Sequence, residues 1–590
     1  MSFFMVIRDE ILTRRQAAEG YLSNKRLQWD VYEDLFHNKL ADAMSSSTKS
    51  QVFDPKLSTL ILDRSYRVMA QLPTGKIRGI SRNDRGVSFL MNLILDKYVF
   101  PNANAQFDFL TKLRMVDLYS NIYGNFFTLV DWDVKKNGYV GPDIWLLNIR
   151  DVFPQVGAVS LEDSDYVIIR TWKPLSYFEG LRKQNGFKNL SEIVAKLKDK
   201  TGSKQARSDN DKGKRESSAY PTGEAAKRKG YFEVLSKFEG DRWVDFCVDA
   251  EMVFRDIKNS HDNGELPVTC KYSIPLLDDF MGMGDSERGQ SMQQTINSVW
   301  NLYLDACKMS IFPPILINQD NIASFSSIQW GAAAKWLVRG QLGNTISPVN
   351  LNPQGIATFN NTYQVANASL LNLFGTSDTT TTQSTDPNFG RTPQALRMQA
   401  ARENARDSAD RFYMERYLTN TIKKMINLLS KNQSSAITIR MFGDELPALE
   451  RSYPEIKEMF DESTGKLMID KKITGSNLFD YEIVPGSTFT VDQQQQQQNL
   501  TQMLDLLVRQ PQLIQAIDQE GYRLKLGEMF KRIVSNSGIQ DWDKILEEKT
   551  EKEKVDSIIQ QNMAQFQAAV QAQGSLGQIP PQPNEEQPIA

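Results

Sequence analysis

A long helical pattern that ends at a double proline constrains the fold of this chain more than any other feature. Within "GQSMQQTINSVWNLYLDACKMSIFPPILIN" apolar side chains recur at steps of three and four: Ile296, Val299, Tyr303 and Ala306. Three more apolar residues widen this stripe toward a second face: Trp300, Leu302 and Leu304. Pro313 lacks a backbone N–H and Pro314 keeps Pro313 out of the helical conformation, so the chain must leave extended. We expect a helix packed on two sides, followed by a short strand, "ILIN".

The length and charge of the chain limit the kinds of protein it can be. A chain of 590 residues is too long for one hydrophobic core and should divide into several units. Its formal charge of -3 lacks the basic excess with which proteins grip nucleic acid through phosphate, so we expect DNA contacts to be loose or local. The opening "MSFFMVIRDE" is apolar over too few residues for a signal peptide or a membrane span. No later segment reaches that length, which predicts no contact with a membrane.

Residue types that carry catalysis or bind metals are scarce. The two histidines, His37 and His261, belong to no catalytic motif, which favours structural roles. The cysteines Cys247, Cys270 and Cys307 lie far apart without metal-ligand spacing, so we interpret them as free thiols in a reducing cytoplasm. The glycine-rich "GMGDSERG" fits neither common phosphate-binding pattern and is interpreted as a flexible entry to the helix. We therefore expect no enzyme, no metal and no cofactor.

The pattern changes from helix to strand near Asn125. Before about residue 120, stretches such as "RGVSFLMNLILDKYVF" have helical spacing. From Asn125, the stretches "FFTLVDWDV", "DIWLLNIRDVFPQVG" and "DYVIIRTWK" are short and rich in aromatic and β-branched residues, which predicts strands. A hairpin that turns at "EGDR" is predicted in "YFEVLSKFEGDRWVDFCV". Before this hairpin, residues 198–230 have almost no large apolar side chain, so we expect a disordered insertion there.

The second half of the chain opens with more helices. The stretch "QGIATFNNTYQVANASLLNLFG" predicts a second helix antiparallel to the first, and the threonine-rich "TSDTTTTQSTDPNFGRTP" predicts a loop. The longest helix is predicted in "PQALRMQAARENARDSADRFYMERYLTNTIKKMINLL", with Pro393 in its first turn. A strand pair, "AITIRMFG" and "FDYEIVPGSTFTV", precedes a glutamine run at 493–498 and further helices. The end, "GSLGQIPPQPNEEQPIA", has low complexity and predicts disorder.

One long segment is nearly free of charge. From Gln341 to Gly390 there is no lysine or arginine, and the only acids are Asp378 and Asp386. A buried helix beside a polar loop is one explanation. Four asparagines on the second helix favour a wet but uncharged surface instead: Asn360, Asn361, Asn367 and Asn372. A wall past which a polyanion slides should avoid cations, because they bind phosphate.

The order of these elements resembles that of the portal proteins of tailed bacteriophages, the rings at one capsid vertex through which DNA is packaged and ejected. The string "SIFPPILIN" is the most similar to that family, at the point where a first stem helix enters the clip. The stretches "RMQAARENARDSADRF" and "VFDPKLSTLILDRSYRVMAQLPTG" resemble the start of the long wing helix and the region that precedes the wing. The resemblance implies these parts: a wing at 1–284, a first stem helix at 285–312, a clip at 313–352, a second stem helix at 353–375, a tunnel loop at 376–392, a long wing helix at 393–432, wing strands at 433–492, a helical crown at 493–572 and a disordered tail at 573–590.

The resemblance also implies a fold class and partners. The fold is expected to be α+β and predominantly helical, in a chain that assembles into a ring of twelve copies and hydrolyses nothing itself. Expected partners are the major capsid protein, the terminase large subunit, a head–tail adaptor, and double-stranded DNA that passes without sequence specificity. The expected location is the capsid vertex of a virion, after assembly in the cytoplasm of a bacterial host.

Three sets of residues are expected at functional surfaces. Contacts between subunits are expected from the helical stripe: Ile296, Val299, Trp300 and Tyr303. A partner surface on the clip is expected at Trp330 and Trp336, although a small core of the clip itself is an equal alternative. In the tunnel loop, hydroxyls are expected to touch DNA weakly while Asp378 and Asp386 repel it; those hydroxyls belong to Thr379, Thr380, Thr381 and Thr382. The alternative for this loop is an exposed turn without a role.

Two other classes of protein fit the sequence less well. A cytoplasmic helical scaffold or adaptor would use the same helices for coiled-coil contacts and would form dimers or heterogeneous particles. An enzyme that processes nucleic acid would need a metal-binding cluster of acidic residues, which the sequence does not reveal. The particle that the purified chain forms separates these classes.

Overall fold

The computed structural model describes most of the first 432 residues and a few short segments beyond them. The described residues are 2–40, 50–69, 75–79, 85–134, 138–182, 186–202, 230–259, 261, 264–311, 315–317, 346–348, 353–374, 393–432, 437–440, 460–461, 466–469 and 479–483. The chain divides into two compact units, 1–489 and 490–590. The predicted crown, tail and tunnel loop, and most of the predicted insertion and clip, lie outside the described residues.

Helices form the N-terminal part and the long rods of the first unit. In chain order they are α1 (Ser2–Phe36), α2 (Lys56–Val68), α3 (Arg85–Ile94), α4 (Phe100–Asn102), α5 (Phe109–Tyr123), α6 (Leu175–Leu181), α7 (Leu190–Gly202), α8 (Asp285–Ile311), α9 (Pro353–Phe374) and α10 (Pro393–Asn432). A π-helical turn, Leu95–Val99, joins α3 to α4, and a 3₁₀ turn, Ile149–Asp151, precedes β4.

The described strands all pair antiparallel. They are β1 (Gly75–Gly79), β2 (Asn125–Val134), β3 (Val140–Leu146), β4 (Val152–Pro154), β5 (Tyr166–Pro174), β6 (Tyr231–Glu239), β7 (Arg242–Cys247), β8 (Met252–Lys258), β9 (Val268–Tyr272), β10 (Ile315–Ile317), β11 (Ile346–Pro348), β12 (Ile437–Arg440), β13 (Phe460–Asp461), β14 (Lys466–Ile469) and β15 (Phe479–Ile483). One sheet has the order β4-β5-β6-β7-β8, another β3-β2-β9 and a third β12-β14-β13. The remaining pairs are β1-β15 and β10-β11. The described chain is therefore α+β, as the sequence predicted.

Several predicted elements lie where the sequence placed them. β2 begins at Asn125, the residue at which the pattern changes from helix to strand. The predicted hairpin is the β6-β7 pair, in which Phe238 faces Trp243 across the turn. Helices α8, α9 and α10 end within one residue of their predicted bounds. Alternating and 3.6-residue hydrophobic patterns were strong enough here to indicate the type of each element, while the bounds of α8, α9 and α10 had come from the resemblance.

The predicted pairing of the two C-terminal strands was wrong. β12 pairs with β14, while β15 pairs with β1 from the N-terminal part, with Ile77 opposite Tyr481. β1 has the sequence "GKIRG", which is short, polar and rich in glycine, so the sequence gives no strand signal there. The β1-β15 pair ties the end of the first unit back to its beginning.

Three hydrophobic clusters hold the described part together. The first joins α1 and the five-stranded sheet to α8 and α9 through residues such as Ile296 and Leu370. The second surrounds α10 and includes α3, α5 and β2. The third lies under α6 and α7, which cover one end of the five-stranded sheet. Because α8 and α9 share a core with α1 and the sheet, their inner faces belong to the body of the chain.

Backbone contacts between glycines hold the start of α8 against the end of α5. Helix α5 is capped at its start by Asp108, whose side chain accepts a hydrogen bond from the Thr111 amide, and ends at Gly124 with φ +101°. A Cβ on Gly124 would overlap the carbonyl oxygen of Gly282, and one on Gly284 would lie 2.7 Å from the Asn121 carbonyl oxygen. The interpretation of "GMGDSERG" as a flexible entry is therefore wrong, because its glycines permit close packing of two backbones.

We expect Gly124→Ala to lower the free energy of unfolding by at least about 2 kcal/mol more than Gly138→Ala. Both glycines have positive φ, +101° and +88°, so both variants carry the backbone cost of a left-handed alanine. Only Gly124 faces another backbone, whereas a Cβ on Gly138 meets nothing within 4 Å. Urea unfolding measures the difference; equal losses in the two variants would show that the close approach to Gly282 is not needed.

Candidate functional site

Helices α8 and α9 form an antiparallel pair joined through a short strand pair. Near one end of the helix pair, Gly289 of α8 lies against the Leu370 side chain of α9. Further along, the rings of Trp300 and Tyr363 are 5.6 Å apart. Beyond the helices, β10 and β11 pair with Ile315 opposite Pro348, so the chain leaves α8 and returns to α9 through adjacent strands. The helix, strand and returning helix predicted from the double proline are thus present.

The apolar stripe of α8 faces two environments. Ile296 is 0% exposed and belongs to the core that also contains α1 and α9. The structure therefore assigns Ile296 to the core of the chain itself and not to a surface between copies. Val299, Trp300 and Tyr303 are partly exposed, and the rings of Trp300 and Tyr303 stack at 5.8 Å. These three residues remain available for contacts with another chain.

The middle of α8 and the whole of α9 carry no charged residue. Helix α8 has no charged residue from Gly289 to Leu304, and none of the 22 residues of α9 is charged. The exposed residues of α9 are polar and uncharged apart from Val365: Thr358, Asn360, Asn361, Thr362, Gln364, Ser369 and Asn372. The prediction of a wet, uncharged surface is confirmed for three of the four asparagines, whereas Asn367 is buried. The result is a neutral polar surface along the exposed face of α9.

The other predicted site residues lie outside the described residues. They are Trp330 and Trp336 of the clip and, in the tunnel loop, Asp378, Thr379, Thr380, Thr381, Thr382 and Asp386. Their proposed roles stay predictions.

Charged residues concentrate instead at the base of α8. The Lys271 Nζ of β9 lies 2.8 Å from the carboxylate of Asp117 and 2.6 Å from that of Asp410, and all three side chains are buried. Arg64 of α2 lies 2.5 Å from Asp285, the first residue of α8, and 3.8 Å from Asp410. We call these five residues the ionic hub. It joins α2, α5, β9, α8 and α10 at one point.

Burial and neighbouring charges set the protonation of the hub. Burial raises the pKa of Asp117 to about 6, against the effect of Lys271 and with that of the Asp410 carboxylate. Burial alone would raise the pKa of Asp410 too, but Lys271 and Arg64 beside it lower this pKa overall. The pKa of Lys271 is raised because two carboxylates outweigh the effect of its burial. At neutral pH the hub therefore holds ion pairs away from water.

The hub left no clear signal in the sequence because each of its members looks ordinary where it stands. Lys271 occurs in the strand "VTCKY" and Asp117 in the helix "KLRMVDLYSNIY", and a single charge in such a stretch usually faces water. Only the fold brings residues 64, 117, 271, 285 and 410 together. The sequence offered one signal: a charged residue at a position where the hydrophobic periodicity predicts a buried side chain.

No family model matches the chain, and no curated protein matches it in sequence. Among the helices that the structure describes, none is both long and apolar enough to cross a membrane. The same part of the chain contains no group of three or more His, Cys, Asp or Glu side chains arranged to hold a metal ion.

We expect Lys271→Met to destabilise the chain by about 3–5 kcal/mol, because it leaves Asp117 and Asp410 buried without their cation. The control is Lys196→Met, which breaks an exposed pair with Glu192 and should cost at most about 1 kcal/mol. Chemical denaturation of both variants measures the costs. If the two losses are equal, the hub does not hold the base of α8.

Proposed function

We propose that the chain is the subunit of a tailed-phage portal, a ring that forms the channel for DNA at one capsid vertex and that performs no catalysis itself. The observation that carries the proposal is the helix pair α8–α9, which is uncharged over the middle of α8 and the whole of α9 and is fixed at its base by the ionic hub to an α+β body. In this proposal the body is the wing, α8 and α9 are the two stem helices, β10 and β11 begin and end the clip, and α10 is the long wing helix. The order of these elements along the chain supports the assignment.

A neutral polar stem suits a channel through which DNA moves. Each cation that pairs with a phosphate releases counterions and so adds salt-dependent affinity, which would hold the DNA in place. The exposed amides and hydroxyls of α9 can be wetted by water and carry no charge that would hold phosphate. A ring of twelve such surfaces would let double-stranded DNA pass without sequence specificity.

Exposed apolar residues on α8 support contacts between copies. On α8, Leu302 is 44% exposed, and Val299, Trp300 and Tyr303 are partly exposed. Burying such a surface against a second copy would remove apolar area from water. In the ring, each helix pair would therefore pack against the next.

The remaining parts of the proposal concern partners. The clip, with Trp330 and Trp336 as candidate anchors, would bind the terminase large subunit during packaging and the head–tail adaptor afterwards, and the wing would meet the major capsid protein. The loop at 376–392 would form a soft constriction in the channel. The assembled ring would be located at the capsid vertex of the virion, after assembly in the bacterial cytoplasm.

The particle formed by the purified chain tests the function. Light scattering with negative-stain imaging should show closed rings with a central opening and about twelve times the chain mass of 67.2 kDa. A helical scaffold would instead give dimers or heterogeneous particles. A monodisperse monomer or dimer at micromolar concentration would exclude the portal.

We expect Tyr303→Asp or Leu302→Asp to convert rings to monomers in sedimentation, because a charge would be buried between neighbouring helix pairs. The matched control is Leu277→Asp, since Leu277 is 86% exposed in a loop outside the helix pair. That variant should still form rings. Rings that survive either substitution on α8 would place the subunit interface elsewhere.

We expect Asn361→Lys to slow the passage of DNA in assembled particles, with an effect that weakens as salt increases. Asn361 is exposed on α9, so the new ammonium groups would add one cation per subunit to the neutral surface. The control is Asn361→Asp at the same position, which should not retain DNA. The placement of α9 in the channel fails if DNA ejection is the same in both variants.

A further inference from the structure

The segment Ser50–Asp54, which we call the strap, runs along α8 without secondary structure of its own. It connects to α2, which begins at Lys56. Every second residue of the strap is hydrogen-bonded to a side chain of α8. As the residue numbers increase along the strap, those of the bonded residues on α8 decrease. The strap is thus held in one register and antiparallel to the helix.

Three side chains of α8, spaced four residues apart, make most of these bonds, and we call them the amide ladder: Gln293, Asn297 and Asn301. Asn301 accepts a hydrogen bond from the Val52 amide and donates one to the Val52 carbonyl, both at 2.8 Å. Asn297 accepts from the Asp54 amide at 3.1 Å, and Gln293 donates to the Asp54 carbonyl at 2.5 Å. Each of these bonds ends on the strap backbone.

The spacing of the ladder matches the repeat of an extended chain. Four residues of an α-helix rise about 6.0 Å, and two residues of an extended chain rise about 6.6 Å. Residues four apart also lie on one face of the helix. One turn of α8 therefore presents one amide for every two residues of the strap, in the way that a neighbouring strand would present its peptide groups.

Because the ladder bonds the backbone, it recognises an extended segment with little regard for its side chains. The Val52 side chain is 45% exposed, and Gln51 is exposed as well. Phe53 packs against the core and Asp54 accepts a hydrogen bond from the Tyr363 hydroxyl at 2.5 Å, and these two contacts fix the register. The site therefore combines backbone recognition with one apolar and one acidic anchor.

The strap is fastened in a way that allows it to leave. The ladder side chains are almost fully buried, with at most 1% exposed, but they are uncharged amides that water can satisfy when the strap departs. The ionic hub differs because its charged groups are enclosed by helices and a strand, so water cannot take the place of their ionic partners. Local opening of the strap should thus leave the hub and the core intact.

We propose that the amide ladder is a binding site for an extended polypeptide segment, filled here by the chain's own strap, and that the same segment of a second copy can take its place. The strap supplies the chemistry of the ligand: an extended backbone whose N–H groups at alternate residues donate to the ladder, an aromatic residue, and a carboxylate next to it. This site does not depend on the proposed channel.

A labelled synthetic peptide with the sequence of residues 46–56, "SSTKSQVFDPK", tests the site in the full chain. The Val52→Pro variant weakens the binding of the chain's own strap, because it removes the N–H group that donates to Asn301, whereas Val52→Thr keeps this group. Fluorescence anisotropy should show the peptide binding the proline variant at least about tenfold more tightly than the threonine variant or the unmodified chain, in which the tethered strap competes.

Backbone methylation of the peptide gives the matched control. N-methylation at Val52 removes the amide hydrogen that donates to Asn301 and should weaken binding about tenfold. The Phe53 amide bonds to no ladder side chain. N-methylation at Phe53 should therefore weaken binding less than about threefold. Equal effects of the two methyl groups, or no binding to a folded proline variant, would overturn the proposal.

Hydrogen exchange of the unmodified chain tests the same proposal without any variant. The Val52 and Asp54 amides should exchange at least about tenfold faster than the amides in the middle of α2, through local opening of the strap. If the strap amides exchange only as slowly as those of α2, the strap does not leave the ladder, and the site cannot accept a second copy.

Discussion

The described part of the chain depends on a buried ionic cluster in which Lys271 lies between Asp117 and Asp410. Removing three charges from water costs several kcal/mol per ion, and only the simultaneous presence of all partners offsets this cost. Those partners come from α5, β9 and α10, and Arg64 extends the network to the first residue of α8. The base of α8 can therefore take its position only when the helical and sheet parts of the body have assembled around it.

Above this charged base, the molecule changes its chemistry. From Gly289 to Leu304 α8 uses amides and aromatic rings, and α9 has no charge at all. The amide ladder bonds the strap backbone at Val52 and Asp54 through uncharged side chains at the helix repeat, while Ser50 at the start of the strap bonds the charged Asp305 and Lys308. The exposed face of α9 is polar and neutral, and the proposed passage of DNA depends on this property.

Sequence patterns predicted the rods and the change to strands because these depend on local periodicity and on proline. The helix before Pro313, the strand onset at Asn125 and the β6-β7 hairpin are of this kind. The same patterns could not say what covers an apolar residue, so Ile296 was assigned to a subunit interface although it lies in the chain's own core. Contacts between distant residues left no local signal either, which is why the β1-β15 pair was missed.

Polar residues were the hardest to interpret. Gln293, Asn297 and Asn301 have the spacing of a solvated helix face, yet they are buried because the strap covers them. The glycines near Gly282 suggest flexibility in the sequence but allow two backbones to touch in the fold. In each case the deciding partner lies more than a hundred residues away, beyond the reach of any local pattern.

Electron cryomicroscopy of the assembled particle, at a resolution that shows side chains, tests the central claim most directly. The account predicts a ring in which the uncharged face of α9, with Asn361 and Ser369, lines a central channel, while Tyr303 lies between neighbouring copies. A particle without a channel, or a ring in which α9 faces outward or charged side chains line the narrowest part of the stem, would contradict it.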